Sequence, residues 1–310
     1  MKLTAVEVCA GAGGQALGLE QAGFSHVKLV ELDNRACKTL RRNRPEWDVE
    51  ECDLRHWSTA GFEGVDLLAG GPPCSPFSVA GRQRGFNDQR DLLPRTLTLI
   101  EQIKPKAVML ENVRGILAHK FYPYRMQVND RLRSMGYVAR WRLLNAADFG
   151  VPQLRARAVM VAALASLPRF RWPESLATRP TVGEAIKDLM AAKGWAGVDS
   201  WARQADTIAP TLVGGSKLHG GADLGPAGSR AAWLRIGIDG RGLAEVAPLP
   251  DFTGHPRLTV RMAARLQGFP DDWQFAGRKC NAYRQVGNAF PPPVAAAVGA
   301  RIRAMLAGDD

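Results

Sequence analysis

Cysteine is scarce in this chain, and the cysteines present form no recognisable framework. The 310 residues include five of them, an odd number, at Cys9, Cys37, Cys52, Cys74 and Cys280. Their spacing matches neither a zinc site nor a disulfide-rich domain. Such usage is typical of a reducing compartment, so we expect a cytoplasmic protein.

Long apolar runs are also absent. No stretch approaches the roughly 20 consecutive apolar residues that a membrane-spanning helix needs. The amino terminus already has a strand-like pattern from Leu3, so we expect no signal peptide. The sequence therefore predicts a protein without a membrane anchor.

Acidic residues are outnumbered by basic ones. Lys and Arg total 41 against 30 Asp and Glu, which gives a formal net charge of +11. An excess of this size favours a polyanionic partner, most simply nucleic acid. Ordinary solubility charge is the alternative, and the clustering of basic residues in the second half favours the polyanion.

Short apolar runs alternate with helical patterns from Leu3 to about Leu164. This alternation predicts an α/β fold with a doubly wound parallel sheet, covered by helices on both faces. The predicted strands are 6–9, 27–30, 65–68, 107–110 and 158–161, and the helices between them include 16–22, 35–43 and 93–103.

The amino-acid composition changes between residues 191 and 254, where glycine, arginine and tryptophan become frequent and helical periodicity is weak. We interpret this stretch as a second, smaller domain of irregular or β structure, because loops of that length are uncommon in compact domains. The predicted division is therefore 1–190, 191–254 and a segment 255–310 that returns to the first domain, with helices at 257–268 and 292–306.

One cysteine has a setting that suits reactivity. Cys74 lies within the run GGPPCSPFS at 70–78, directly after a predicted strand. Ligands of open α/β sheets bind at the carboxyl ends of the strands, where this stiff loop would present the thiol. A small buried apolar residue is the alternative interpretation of Cys74.

Three predicted strand ends carry residues suited to a nucleoside. The first runs into the glycine loop at 9–14, which allows close backbone approach to a bulky ligand. Glu31 ends the second strand, where ribose hydroxyls are usually held, and Asp53 follows the third, within reach of an adenine amino group. A tight turn and two surface charges are the alternatives, but three such ends in order favour a nucleoside site.

Two further motifs carry polar side chains to the same region. Glu111 ends a predicted strand and, if burial raised its pKa, could protonate a ring nitrogen; a helix cap is the alternative. The run QLRAR at 153–157 leads into a strand, so alternation would point Gln153, Arg155 and Arg157 to one side. Guanidinium groups there could bind a carbonyl oxygen or phosphate, and a solvated basic strand is the competing interpretation.

Taken in order, these motifs resemble those of the DNA cytosine-5 methyltransferases of bacterial restriction-modification systems. The glycine loop, Pro-Cys, Glu-Asn-Val at 111–113, Gln-x-Arg-x-Arg and Gly-Asn at 287–288 occur in the family's order. The resemblance spans 6–303 except 191–254, where Pro-Thr-Leu at 210–212 is similar to a pair in the family's recognition domain. It implies a Rossmann-like S-adenosylmethionine methyltransferase sheet with a smaller target-recognition domain.

The resemblance implies methylation of carbon 5 of cytosine in a specific double-stranded DNA sequence, through a covalent Cys74 adduct on a flipped base. Glu111 would hold or protonate ring nitrogen 3, and Arg157 would bind the oxygen at carbon 2 with support from Arg155. S-adenosyl-L-methionine would contact Cys9, Gly11, Gly13, Gly14, Glu31, Asp53, Pro73, Leu93, Asn288 and Ala289. DNA would contact Ser78, Arg82, Arg84, Thr211, Arg230, Arg235 and Arg241.

The chain departs from the family at Cys9, where the family usually has a phenylalanine that stacks near the adenine. The resemblance also implies a monomer and a cognate restriction endonuclease from which the host DNA is protected. Three alternatives stay open: a transfer-RNA cytosine-5 methyltransferase of similar fold, a catalytically silent DNA-binding module, and a nicotinamide-dependent oxidoreductase that uses the glycine loop.

Overall fold

The computed structural model describes residues 3–73, 91–214 and 223–309. Their strands are β1 (Leu3–Val8), β2 (Phe24–Glu31), β3 (Val49–Glu51), β4 (Leu67–Gly70), β5 (Ala107–Val113), β6 (Tyr137–Asn145) and β7 (Ala156–Leu164). The helices are α1 (Gly14–Gln21), α2 (Asn34–Asn43), α3 (Leu93–Ile103), α4 (Tyr122–Ser134), α5 (Val182–Ala191), α6 (Val198–Gln204), α7 (Ala227–Arg235), α8 (Val260–Leu266), α9 (Lys279–Asn288) and α10 (Pro292–Ala307).

All seven strands form one sheet in the order β3-β2-β1-β4-β5-β7-β6. The first five in that order pair in parallel, as predicted. Every β4 residue is buried, which is typical of a parallel strand covered on both faces. On one face, Val108 and Leu110 pack in a core with Ile100 and Ile103 of α3 and Leu132 of α4.

The sheet is not parallel throughout, which corrects the prediction. β7 runs antiparallel to β5, and β6, which the sequence did not indicate, forms the edge beside β7. Main-chain bonds close both ends of the β6–β7 pair, from Ala165 N to Gly136 O and from Ala146 N to Arg155 O, each 2.9 Å. β6 escaped prediction because arginines interrupt its apolar pattern.

The chain divides into two compact units. The first comprises the described residues of Met1–Leu144, Ala156–Glu174 and Val294–Asp310, and it holds the sheet, α1 to α4 and nearly all of α10. The second comprises Asn145–Arg155 and the described residues of Ser175–Pro293, with α5 to α9. These limits differ from the predicted 190 and 254, because α5, α8 and α9 associate with the second unit.

The predicted irregular or β structure of 191–254 is replaced, where the structure describes it, by helices α6 and α7 and irregular chain. Both helices are short, seven and nine residues, so they display too little of a helical period to be recognised. No helix within 3–73, 91–214 or 223–309 is long and apolar enough to cross a bilayer.

Glycines bring the ends of β4 and β1 into close contact. Gly70 pairs with Val8, and a Cβ on Gly70 would lie 2.5 Å from the Val8 carbonyl oxygen. At the next residue, a Cβ on Gly71 would lie 3.3 Å from Oε2 of Glu111. The chain that leads to Pro72 and Pro73 therefore leaves the sheet directly beside the Glu111 carboxyl group.

Candidate functional site

Parallel pairing aligns the carboxyl ends of neighbouring strands at one edge of the sheet. β1 and β4 end in register at Val8 and Gly70, and β2 and β3 end in register at Glu31 and Glu51. Open α/β sheets bind ligands at this edge, so the predicted nucleoside site lies in a suitable place.

The loop after β1 has left-handed backbone at Cys9, Gly11 and Gly13, with φ of 53°, 57° and 86°. Positive φ is uncommon for a residue other than glycine, so the surrounding bonds must hold Cys9 in place. Ala10 N donates to the Val30 carbonyl, 3.2 Å away. A Cβ on Gly11 would meet nothing within 4 Å, which leaves the Gly11 backbone open to a ligand.

Glu31 connects this loop to the end of β2. Its Oε2 accepts from Gly11 N and its Oε1 accepts from Asp33 N, each at 2.7 Å. Burial raises the pKa of the Glu31 carboxyl, while the backbone N–H groups of Asp33, Gly11 and Leu32 oppose that rise. Each oxygen keeps room for a further donor, as ribose hydroxyls require.

An exposed apolar side chain lies beside this acid. Leu32 is 61% exposed at the carboxyl end of β2. It presents a branched apolar side chain to solvent at this edge. Sequence reasoning missed Leu32 because one leucine after a strand carries no periodic signal.

Asp53 is engaged by a neighbouring guanidinium. Arg55 donates from Nη2 to Oδ2 at 2.7 Å and from Nε to Oδ1 at 3.0 Å. These bonds lower the pKa of Asp53 to about 2. Cys52 N donates to the Glu31 carbonyl at 3.0 Å, which holds this segment beside the end of β2. Asp53 is the next residue along the chain and therefore lies near Glu31.

Two cysteines near this edge are poor nucleophiles. The buried Cys37 thiol donates to the Glu31 carbonyl at 3.4 Å, and burial raises its pKa to about 12. The Cys52 thiol donates to the Asp53 carbonyl at 3.3 Å, and burial raises its pKa also. Thiolates are the reactive form, so neither residue suits attack on a substrate.

Glu111 and Arg157 form a largely buried ion pair, with 2.8 Å between Glu111 Oε1 and Arg157 Nε. Glu111 lies within β5 opposite Val159, and Arg157 lies opposite Val113, so their side chains are diagonal neighbours on one face. The pair places an acceptor and charged donors together. That combination can hold a flat heterocycle bearing a ring nitrogen and a carbonyl oxygen.

The run 153–157 does not share one strand face, and that prediction was wrong. β7 begins only at Ala156, so the alternation cannot extend back to Gln153 and Arg155. Gln153 is buried in the second unit, where its Nε2 donates to the carbonyl of Leu266 at 3.0 Å and to Oε1 of Gln267 at 2.7 Å.

Arg155 binds the main chain of the second unit. The residue is 1% exposed, and its Nη1 donates to the Leu212 carbonyl at 2.9 Å. Its Nη2 donates to the carbonyls of Gly287 and Ala289, at 2.8 and 3.0 Å. Three segments distant in sequence are thus held by one guanidinium, which makes Arg155 an anchor of this unit.

The other predicted cofactor residues are distributed over both units. In the first, Pro73 is partly buried after β4 and the buried Leu93 begins α3. In the second, the exposed Asn288 ends α9 and the buried Ala289 follows it. The predicted residues Cys74, Ser78, Arg82 and Arg84 lie outside the described residues.

In the second unit, one buried carboxylate organises two arginines. Asp239 accepts from Arg241 Nε at 2.9 Å and Nη2 at 3.2 Å, and from Arg257 Nε at 2.9 Å. These bonds hold the pKa of Asp239 well below its usual range. The side chains of Arg241 and Arg257 are 76% and 45% exposed, so both guanidiniums reach solvent. Arg257 was not predicted, because its partner lies 18 residues away.

The remaining residues that were predicted to contact DNA are not held by a buried carboxylate in this way. Arg230 pairs with Asp223 at 3.6 Å, and Arg235 is exposed in the last turn of α7. The Thr211 hydroxyl donates its proton to the Leu154 carbonyl at 2.5 Å, so this donor is used within the protein. Among described residues, no cluster of His, Cys, Asp and Glu is arranged to hold a metal ion.

Comparison with known proteins shows strong similarity to one family. The chain matches the model of C-5 cytosine-specific DNA methylases over residues 3–218 and 235–304. It is 56% identical to the Type II methyltransferase M.NaeI of Lentzea aerocolonigenes, over 98% of the chain and 75% of that protein. It is 51% identical to the Type II methyltransferase M.NgoMIV of Neisseria gonorrhoeae, over 97% of each.

Solved structures with low sequence identity share the fold. The Spodoptera frugiperda DNMT2 structure aligns with a TM-score of 0.69 and 16% identity, over 97% of this chain and 99% of that one. The Entamoeba histolytica methyltransferase EhMeth aligns with a TM-score of 0.68 and 15% identity, over 100% and 99%. The α/β architecture is therefore that of known methyltransferases.

We expect Arg155→Lys to lower the free energy of unfolding by about 3 kcal/mol, because the donors of an ammonium all lie on one nitrogen and cannot reach carbonyls arranged around two separate Nη atoms, which leaves buried acceptors unpaired. Urea unfolding followed by tryptophan fluorescence measures the loss. The control Arg203→Lys, on the exposed face of α6, should change stability by less than about 0.5 kcal/mol. Equal stability of the two variants would contradict anchoring by Arg155.

Proposed function

We propose, from the premise that this chain belongs to the C-5 cytosine-specific DNA methylase family, that it methylates cytosine within one specific duplex DNA sequence. It is a DNA cytosine-5 methyltransferase of the type II restriction-modification class. Membership of this enzyme family removes the oxidoreductase and silent-module alternatives. The observation that carries the proposed mechanism is the Glu111–Arg157 pair beside Gly71, three residues before Cys74.

The strand edge fits S-adenosylmethionine. When bound, this group supplies an electrophilic methyl group. Glu31 has two oxygens free to accept further bonds from ribose hydroxyls, and the open backbone at Gly11 admits the ligand. Leu32 would cover the adenine ring, a contact that the small Cys9 does not supply, and Asp53 would accept from the adenine amino group.

Cys74 would activate the base. Carbon 5 of cytosine is a weak nucleophile, and addition of the Cys74 thiolate to carbon 6 makes a C–S bond and turns the ring into an enamine. The electron pair would then lie on carbon 5, which would take the methyl group as the methyl–sulfonium bond breaks and its electron pair stays on the departing thioether sulfur. Loss of the carbon 5 proton to water and cleavage of the C–S bond would return the Cys74 thiolate and restore the aromatic ring.

Glu111 and Arg157 would hold the pyrimidine during addition. Negative charge builds on ring nitrogen 3 and on the oxygen at carbon 2 as the thiolate adds. Glu111 would donate its carboxyl proton to nitrogen 3 during addition and take it back as the ring is restored, while Arg157, with Nε 2.8 Å from Oε1, stabilises the carboxylate formed in between. Arg157 Nε is held by Glu111 and Nη1 by the Ala156 carbonyl, which leaves Nη2 for the oxygen.

The target base must leave the duplex, because neither its carbon 6 nor its carbon 5 face is accessible within the stack. A net charge of +11 supplies the attraction for the DNA backbone. Sequence choice would lie with Arg241 and Arg257. Asp239 accepts from Nε and Nη2 of Arg241 along one edge of the guanidinium. The outer edge, formed by the two Nη atoms, would be available for a bidentate contact with guanine.

The biological role follows from the class of enzyme. Methylation of its sequence would protect the host DNA from an endonuclease that cleaves the same sequence. We propose a monomer that works in the cytoplasm, at the nucleoid. A transfer-RNA substrate is the second candidate, and labelled methyl incorporation into DNA and transfer RNA, measured separately, separates the two.

We expect a bacterial host that expresses the chain to acquire 5-methylcytosine in one short motif, which bisulfite sequencing reads. The Cys74→Ser variant should lose methylation by at least about 10³-fold, because no enamine forms without the thiolate. The control Cys280→Ser removes an exposed thiol and should retain activity.

The wild type, Cys74→Ser and Cys280→Ser should differ in covalent trapping on DNA that contains 5-fluorocytosine, because carbon 5 of that base has no proton to lose. The wild type and Cys280→Ser should form a stable covalent adduct that peptide mapping places at Cys74. An adduct at another residue, or normal methylation by Cys74→Ser, would overturn the mechanism.

We expect Glu31→Gln to weaken S-adenosylmethionine binding by about 10- to 100-fold, since a charged acceptor for the ribose hydroxyls is lost. Calorimetric titration measures the dissociation constant. Glu51→Gln is the matched control, because Glu51 lies directly opposite Glu31 on the next strand and bonds Asn34 at the surface. Equal weakening in both variants would exclude a specific role for Glu31.

We expect Arg241→Gln to reduce kcat/KM on the natural motif by about 5- to 150-fold and to relax one guanine position. Sequencing of the motifs that the variant methylates reads the relaxation directly. Arg203→Gln removes an equal charge from the same unit and should keep both rate and motif. An unchanged motif and rate in Arg241→Gln would remove Arg241 from base recognition.

A further inference from the structure

Four arginines line an open cleft of about 410 Å³ at the edge of the sheet. Arg140 and Arg142 come from β6, and Arg169 and Arg171 come from the chain that follows β7. Phe170 and Trp172 complete the lining. We call this group the arginine cleft.

The cleft has an uncompensated positive charge. Arg142, Arg169 and Arg171 are exposed and Arg140 is partly buried. No carboxylate in the described part of the chain pairs with these four guanidiniums. Arginines on nearby α4 differ, since Arg131 pairs with Glu101. Like charges gathered without partners repel one another, so the cleft favours an anion.

The aromatic pair gives the cleft a second kind of surface. Phe170 is 5% exposed and meets Trp172 edge-on, with ring centroids 5.0 Å apart and planes at 83°. Phe170 thereby fixes the position of the partly exposed Trp172. An indole beside guanidiniums suits a ligand that has both phosphate oxygens and flat rings.

The register of the sheet relates the cleft to the proposed catalytic pair. Two main-chain bonds, from Ala165 N to Gly136 O and from Ala146 N to Arg155 O, fit one antiparallel register of β6 and β7. In that register Arg142 lies opposite Val159. Val159 in turn pairs with Glu111. Paired residues point to the same face, and two strand spacings separate Arg142 and Glu111 by about 10 Å between Cα atoms.

We propose that the arginine cleft binds phosphates of the DNA strand outside the recognised sequence. The shared chemistry is a phosphate group next to a nucleobase, which a free nucleotide also has. A polynucleotide is favoured because Arg142 and Glu111 lie on the same face of the sheet about 10 Å apart, so one strand could contact both. The inference rests on the proposed function in taking DNA as the substrate.

The test is the salt dependence of DNA binding. Fluorescence anisotropy of a labelled duplex that extends beyond the methylated motif gives the dissociation constant between about 50 and 200 mM salt. The Arg140→Gln/Arg142→Gln variant should reduce the slope of log K against log salt by about 1 to 2, because each lost phosphate contact contributes about 0.9. Its dissociation constant should rise about tenfold at the upper salt concentration.

The matched control is Arg131→Gln/Arg133→Gln on α4, which removes the same charge from arginines that have acidic partners. Its slope should change by less than about 0.5. Arg140→Lys/Arg142→Lys, which keeps the charge, should recover most of the slope. Thermal unfolding of each variant establishes that the fold is intact.

Two outcomes overturn the proposal. A wild-type slope in Arg140→Gln/Arg142→Gln excludes the DNA contact. A thermal shift by ATP or inorganic phosphate that the wild type shows and this variant lacks, with an unchanged DNA slope, assigns the cleft to a free nucleotide or phosphate. Methyl transfer by the wild type to the same duplex tests the proposed function separately, so that either proposal can fail alone.

Discussion

The close approach of β4 to β1 at Gly70 is the constraint on which the site geometry depends. With the Val8 carbonyl 2.5 Å from the position of a Cβ, no other residue fits at this point without moving the strands. The approach carries Gly71 to the Glu111 carboxyl group. Backbone packing therefore places the chain that precedes Pro72 and Pro73 before any side chain contributes.

Charge is buried in both units, and each unit compensates it differently. In the first, Glu111 and Arg157 neutralise each other, an arrangement that adds little net stability but leaves hydrogen-bonding capacity for a ligand. In the second, Arg155 is satisfied by neutral carbonyls, so its charge is spread over three backbone dipoles. The first arrangement keeps functional groups available, and the second uses its donors for packing.

Much of the sheet and the order of the motifs could be predicted from the sequence. Strands buried on both faces are continuous apolar runs, which explains why the parallel strands β1, β4 and β5 and the antiparallel strand β7 were found. The acids at Glu31 and Asp53 were found because strand ends are punctuated by polar residues and glycine. Edge strand β6 was missed because exposure permits arginine within it, and no apolar run remains.

Other parts depend on contacts that sequence separation conceals. The main-chain role of Arg155, the pairing of Arg257 with Asp239 and the exposure of Leu32 follow from the tertiary fold. The limits of the two compact units differ from the predicted domain boundaries for the same reason, because α5 contacts α8 from across the predicted boundary at 190. Local patterns identify elements, whereas long-range packing decides their association.

The anchoring of Arg155 also has a consequence for the order of events during protein synthesis. Its acceptors at Gly287 and Ala289 lie 132 and 134 residues further along the chain. At about 5 to 20 residues per second, the ribosome delivers them about 7 to 27 seconds after Arg155. The nascent second unit must therefore wait, with this cation still hydrated, until Gly287 and Ala289 have been synthesised.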